Sequence, residues 1–284
     1  VRVLVASDLD RTLIYSTTAR RLSDDEPPVV CVEVHDGKPV SFMTAAAAQG
    51  FVTLAAHSTL VPVTTRVPEQ FERVRLPGRT PRYAITANGG LLYVDGDLDR
   101  AWSADVARAL VGAFPLAAVW EHAGQICRPE WTIKLRNAAE LFCYAVVRPS
   151  RLPAGFVEDV GGWAAERGWR ISLQGRKLYW VPEALTKSAA VAEVARRIDA
   201  DLVLAAGDSL LDIDLLLGAD LGIHPRHGEL YETGWSAPNV TQTAAAGVCA
   251  GEEIVGWFAE TVARVSAGGD GGGDAAPAGR PRRR

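Results

Sequence analysis

A chain of 284 residues, 48% of them hydrophobic, can bury a substantial core and fits one large domain or a core carrying an inserted module. Its 30 basic residues nearly balance 34 acidic ones, which argues against wrapping nucleic acid or adhering to an anionic membrane and points to a small partner. Four scattered cysteines without a CxxC pair suggest buried thiols, and with neither a signal-peptide core nor a bilayer-length apolar run the cytoplasm is the expected compartment.

Val3 to Ala6 is a β-branched run of the kind buried in a parallel sheet, and its carboxyl end carries Ser7-Asp8. Val29 to Val34 and Pro39 to Phe42 flank Asp36-Gly37, which predicts a hairpin. Thr44 is placed to cap an Ala-rich helix ending near His57. Leu60 to Val63 predicts a second buried strand, ending in Thr64-Thr65-Arg66, and Tyr83 to Thr86 a third, ending in Asn88-Gly89-Gly90.

From Leu91 to Val181 the pattern changes. Helices over Ser103 to Phe114 and Phe156 to Arg167 accompany strands over Trp131 to Arg136 and Leu141 to Val147, then a hairpin of Arg170 to Leu173 with Leu178 to Val181. This reads as an inserted α+β module with antiparallel pairing. Alternation of helix and buried strand resumes with a helix from Lys187 to Ile198, a strand from Leu202 to Ala205 ending in Gly207-Asp208, and a strand from Leu221 to Ile223. The expected organisation is an α/β core over 1–90 and 182–265, the insertion over 91–181, and a low-complexity tail over 266–284, too poor in apolar residues to order itself.

Ligands of open α/β sheets bind beyond the carboxyl ends of the strands, so the polar residues found there belong together. Hydrolysis of a phosphate monoester asks an enzyme to lower a barrier by roughly 25 kcal/mol or more, chiefly through positioning and charge neutralisation. Asp8 is the candidate nucleophile, which splits the displacement through an aspartyl-phosphate. Carboxylate and phosphate repel unless a divalent cation lies between them. Asp8 and Asp208, with the Asp10 carbonyl, are the expected Mg²⁺ ligands, and Asp212 belongs to the same metal site, holding a metal-bound water or orienting Lys187. The Asp10 carboxyl is the candidate acid and base. Thr64, backbone N–H groups near Leu9 and Thr65, and the Lys187 ammonium complete the cradle. Arg66, Asn88 and Gly89 are candidates for substrate contact, with a surface ion pair as the alternative for Arg66.

In this order these residues resemble the haloacid dehalogenase (HAD) superfamily of phosphohydrolases, whose four motifs match Asp8-Leu9-Asp10-Arg11-Thr12, Thr64, Lys187 and Gly207-Asp208-Ser209-Leu210-Leu211-Asp212. The resemblance implies a Rossmann-like three-layer core with a C2-type cap at 91–181. An Asp at position 10 is what the phosphatase and phosphomutase branches carry. Asn88-Gly89-Gly90 is similar to the Asn-Gly-Ala preceding the cap in Cof-type members. Sucrose-phosphate and mannosylphosphoglycerate phosphatases are further points of likeness, as are phosphatases linked to tellurium-resistance-type stress operons in actinobacteria. Arg11 in place of the usual Gly, Leu211 in place of the common Asn, and the Asp36-Gly37 hairpin depart from the pattern. The implied activity is Mg²⁺-dependent hydrolysis of a small phosphorylated metabolite, a sugar phosphate or a nucleoside-like phosphate. A sugar phosphomutase of the same chemistry and a non-catalytic metabolite sensor are the alternatives. The oligomeric state is not legible.

Overall fold

The computed structural model describes residues 1–22 and 27–268. Five parallel strands form the central sheet in the spatial order Val240–Gln242, Leu221–His224, Leu202–Ala206, Val3–Ser7, Thr59–Pro62. Val3–Ser7 is buried along its whole length, as its unbroken apolar run requires. From it the chain steps to Thr59–Pro62 on one side and later returns to Leu202–Ala206 on the other. The strand order therefore reverses at the carboxyl end of Val3–Ser7, the point at which such a sheet opens its binding crevice, and Asp8 follows directly.

The core differs from expectation at Tyr83–Thr86 and at the start of the tail, and it holds two elements that the sequence did not reveal. Tyr83–Thr86 does not extend the parallel sheet: it meets it through the single bridge between Val63 and Ile85 and pairs antiparallel with Leu91–Val94, so that pairing spans residues 90 and 91. Ala87 and Asn88, both at positive φ, turn the chain back there. Val240–Gln242 went unread because three residues are too few to display a period. A helix over Gly247–Gly268 was also unread, and it places Ser266, Ala267 and Gly268 in a helix rather than in the tail. Residues 269–284 of that expected tail lie outside the described residues. The helix buries Ile254, Val255 and Phe258 in the same cluster as Ala47, Phe51 and Leu54 of the helix Ala45–His57. Thr44 caps that second helix as expected, its Oγ1 accepting the Ala47 N–H at 2.9 Å.

The second layer system is a four-stranded antiparallel sheet, ordered Trp169–Gln174, Lys177–Pro182, Phe142–Val147, Thr132–Ala138. Helices Leu116–Ile126 and Phe156–Ala165 pack on it. The helix expected at Ser103 to Phe114 runs over Arg100–Ala109, because Asp99 caps it by accepting the Trp102 N–H at 2.9 Å. Leu116–Ile126, behind Pro115, is a separate helix that the apolar pattern did not reveal. Trp131, Trp169 and Trp180 are 3% exposed or less and make the core of this layer.

The expected hairpin forms from Val29–His35 and Lys38–Thr44, with Asp36 and Gly37 at φ 51° and 71° as a two-residue turn demands. Its alternation breaks most tellingly at Glu33. Val32 and Glu33 are consecutive and both buried, and the register slips on either side of Glu33, the mark of a β-bulge.

Candidate active site

Asp8 leaves the end of the central strand and meets Lys187, whose Nζ donates to Asp8 Oδ1 at 2.6 Å and to Asp212 Oδ1 at 2.5 Å. Lys187 is fully buried at the first turn of the helix Lys187–Ile198, where the macrodipole disfavours a cation, so the two carboxylates are what hold it there. That helix start is fixed from beneath. The Asn88 amide donates to the Leu185 carbonyl at 3.0 Å, and a Cβ on Gly89, which sits at φ +95°, would lie 2.0 Å from the Thr186 carbonyl oxygen. Asn88 and Gly89, expected to touch substrate, are thus buried against the segment that aims Lys187.

Asp212 is wholly committed to protein partners. Its Oδ1 accepts from Lys187, and its Oδ2 accepts from the Asp208 N–H at 3.2 Å, the Ser209 N–H at 2.9 Å and the Ser209 hydroxyl at 2.7 Å. This ties the fourth-motif turn to Lys187, so of the two roles foreseen for Asp212 the structure favours orientation. A Cβ at Gly207 would come 2.4 Å from Asp212 Cβ, which is why a glycine precedes Asp208.

Asp8, Asp208 and Asp212 can bring one carboxylate oxygen each within 4.8 Å of one another. Burial pushes Asp8 up to about 7 against the pull of Lys187, and Asp212 adds to the rise. Burial likewise drives Asp208 well above the ordinary carboxyl range, opposed by Arg11 and reinforced by Asp8 and Asp212. Buried, mutually repelling carboxylates with too little positive charge beside them fit a hard divalent cation. Since both Asp212 oxygens are engaged, Asp8 and Asp208 are the side chains left to hold one. The Asp10 carboxylate stands apart from this cluster.

Asp10 is gripped from the other side. Arg66 donates to it through Nε, at 2.8 Å from Oδ2, and through Nη2, at 2.8 Å from Oδ1. Burial works to raise its pKa, yet Arg66, helped by Lys177 and Lys187, holds the Asp10 carboxyl well below its usual range. The same Nη2 donates to Glu33 Oε2 at 3.0 Å, and Nη1 to the Gln70 carbonyl at 3.3 Å. Arg66 is 6% exposed, so it is not a surface ion pair, and its donors are taken up by Asp10, Glu33 and the Gln70 carbonyl, an arrangement that orients Asp10. Thr64 is fully buried, and its Oγ1 accepts the Arg66 N–H at 3.1 Å, which leaves its own hydroxyl proton to give.

Arg11 occupies the left-handed region at φ 66°, where a glycine would sit without strain. Its guanidinium lies 3.7 Å from Asp208 Oδ2, and its carbonyl accepts from His227 Nε2 at 2.8 Å. The Gly247 N–H donates to His227 Nδ1 at 3.1 Å, so the proton resides on Nε2, and burial lowers this histidine to about 4.

A cleft of about 790 Å³ opens over this floor, with Asp10, Arg11 and Asp208 at its base. Its roof includes Gln174, Arg176, Lys177 and Tyr179 from the antiparallel layer, and Pro39 and Val40 of the hairpin form a wall. Among the basic residues of the insertion, Arg128, Lys134 and Arg136 are exposed outside the cleft, and Arg176 and Lys177 line it. Two carboxylates escaped the sequence reading. One is Glu33. The other is Glu229, which accepts from the Ser172 hydroxyl at 2.5 Å, the Leu173 N–H at 2.7 Å and the Leu210 N–H at 3.1 Å, joining the roof to the turn that carries Asp208. Glu33 lies between valines in an alternating strand, and that placement was its only available signal.

No family model matches the sequence, and no curated protein does. Solved structures do match. The sucrose-phosphatase of Synechocystis sp., solved with sucrose and phosphate, aligns over 91% of this chain and 98% of its own at 16% identity with a TM-score of 0.60. A HAD subclass IIB sugar phosphatase aligns over 94% and 99% at 12% identity with a TM-score of 0.55. A phosphatase of the same superfamily from Bacteroides thetaiotaomicron aligns over 91% and 95% at 14% identity with a TM-score of 0.51. The chain has the fold of the HAD superfamily phosphatases, a Rossmann-like core with a parallel sheet plus a cap. None of these structures speaks for the actinobacterial branch. No helix among the described residues is long and apolar enough to cross a membrane.

Proposed function

We propose that this chain, built on the fold of the HAD phosphatases, is a Mg²⁺-dependent phosphoric monoester hydrolase acting on a small phosphorylated metabolite, a sugar phosphate or a nucleoside-like phosphate. We assign the core to 1–90 and 182–265 and the cap to 91–181. The observation that carries the reading is the setting of Asp8: Lys187 holds its Oδ1, and its carboxylate belongs to a buried cluster with Asp208 and Asp212 that suits a cation.

Mg²⁺ held by Asp8, Asp208 and the Asp10 carbonyl would offset the repulsion between the nucleophile and the phosphoryl oxygens. Asp8 attacks phosphorus, the bond to the leaving oxygen breaks, and Asp10 gives that oxygen its proton. Lys187 and the Thr64 hydroxyl stabilise charge on the phosphoryl group. Water then attacks the aspartyl-phosphate, returning a proton to Asp10 and releasing phosphate with Asp8 restored. Arg66 keeps the resting Asp10 ionised, the form the second step uses. Negative charge arriving with the substrate raises its proton affinity for the first.

The test is phosphate release from a panel of sugar phosphates and nucleotides, with Mg²⁺ and with chelator, against an Asp8→Asn control. Release by the parent alone, lost on chelation, supports the reading. Equal release by parent and control eliminates it.

A further inference from the structure

The hairpin Val29–His35/Lys38–Thr44 walls one side of the cleft, and as a lid it would act by bulk alone. Its side chains do more. His35, Asp36 and Lys38 are exposed, whereas Glu33 is 3% exposed and points inward from the bulge. Bulges beside functional sites re-aim a side chain, and here the re-aimed one is charged.

A carboxylate is not buried without compensating partners. Glu33 has three: Arg66 Nη2 at 3.0 Å, Arg73 Nε at 3.1 Å and the Ser41 hydroxyl at 2.5 Å. Arg66 Nη2 is also 2.8 Å from Asp10 Oδ1, so a single nitrogen joins the two carboxylates. A guanidinium on a long, flexible stem does not hold a carboxylate in one place unless its own plane is fixed. On the side away from Asp10, Glu33 and the Gln70 carbonyl fix it.

We infer that Glu33 is a positioning residue for the reaction, resting on the phosphatase reading above: acting through Arg66, it sets the Asp10 carboxyl group where the leaving oxygen departs. The order of action is Arg73 and Ser41 to Glu33, Glu33 to Arg66, Arg66 to Asp10. The hairpin thereby contributes to chemistry without touching substrate.

Leaving-group dependence separates positioning from structural support. An alkoxide needs the proton Asp10 supplies, whereas p-nitrophenolate departs as a stable anion. Rapid-quench first turnovers of glucose 6-phosphate and of p-nitrophenyl phosphate read this step before the aspartyl-phosphate is hydrolysed. Glu33→Gln, close in size and without the charge, is expected to slow the sugar phosphate about 10- to 100-fold and the aryl phosphate less than about threefold, with KM for each within about twofold. Glu33→Asp recovers part of the loss. Arg73→Gln, altered on the outer side, gives a smaller change with the same bias, and it decides the matter if Glu33→Gln does not fold. A parent active on both substrates, with variants that lose both equally or neither, overturns the positioning role and leaves the phosphatase reading standing. A parent that releases neither product here and no phosphate from the panel of sugar phosphates and nucleotides overturns both.

Discussion

Asp8 and Lys187 meet at 2.6 Å although 179 residues of chain separate them. The contact crosses the insertion, so the two ends of the core must close before Asp8 meets Lys187, which also pairs with Asp212 on its own side of the insertion. Removing one side of a fully buried ion pair leaves the other uncompensated, at a cost of about 3–5 kcal/mol. Lys187→Met is therefore expected to lower the unfolding free energy by about that amount in denaturant titrations and to cut kcat at least ~100-fold. A variant as stable and active as the parent would show that this pair is dispensable.

The metal-free protein should prefer mild acid at this site. Asp8, pushed to about 7, and Asp208, also raised, bind protons more tightly folded than unfolded, where carboxyls titrate near 3.9. Their contribution to stability is full below about pH 4 and is lost as pH rises toward about 7. Asp10 and Glu33 are shifted downward, so theirs is present above about pH 4 and lost in acid. Asp208→Asn isolates the first effect: without metal it should melt above the parent at about pH 7.5 and level with it near about pH 4.5. Mg²⁺ at about 100 times its Kd should add about 2.7 kcal/mol to the parent and less to the variant. Thermal melts at both pH values check this, and a variant that melts lower at neutral pH contradicts it.

Glu229 accepts two hydrogen bonds from Ser172 and Leu173 of the insertion and a third from Leu210 beside Asp208. A glutamine there turns an NH₂ group toward donors it cannot satisfy, at about 1–3 kcal/mol. For Glu229→Gln we expect faster hydrogen exchange at the Leu173 and Leu210 amides by about tenfold or more, with the amides of Val3–Ser7 unchanged. Unaltered exchange at Leu173 would show that the tether carries no load.

Lys177 lines the cleft and contacts the Tyr144 ring at 5.7 Å, and it makes no ion pair among the described residues. If the proposed substrate occupies this cleft, Lys177 meets it there. Lys177→Met should raise KM for sugar phosphates by about tenfold and lower kcat much less, since the contact exists in ground and transition states alike. Steady-state kinetics decide; a fall in kcat at constant KM would place Lys177 in the chemistry instead.

The floor of the site was legible because its residues sit at strand ends, where one periodic run stops and a polar cluster begins. Asp8, Thr64 and Asp208 came from that rule, and Lys187 from its place at the start of the helix before the strand that leads to Asp208. What failed to show depends on long-range partners. Glu33 looks like a solvent-facing residue until the bulge is known, and Glu229 sits in a four-residue helix without a period of its own. Arg66, Asn88 and Gly89 were found for their position, but their protein partners, Asp10 and Glu33 for the first and the Leu185–Thr186 segment for the others, were not, because a sequence places a residue near the site without saying which way it faces. Tyr83–Thr86 carries the apolar signature of a parallel strand, and only the left-handed turn at Ala87 and Asn88 diverts it.

The most direct measurement is acid-quench trapping of the enzyme in mid-turnover, followed by peptide mapping. The account predicts a phosphoryl group on the peptide that holds Asp8, absent from Asp8→Asn and absent when Mg²⁺ is chelated. Turnover with the label on another residue, or with no labelled enzyme and undiminished activity in Asp8→Asn, would contradict it.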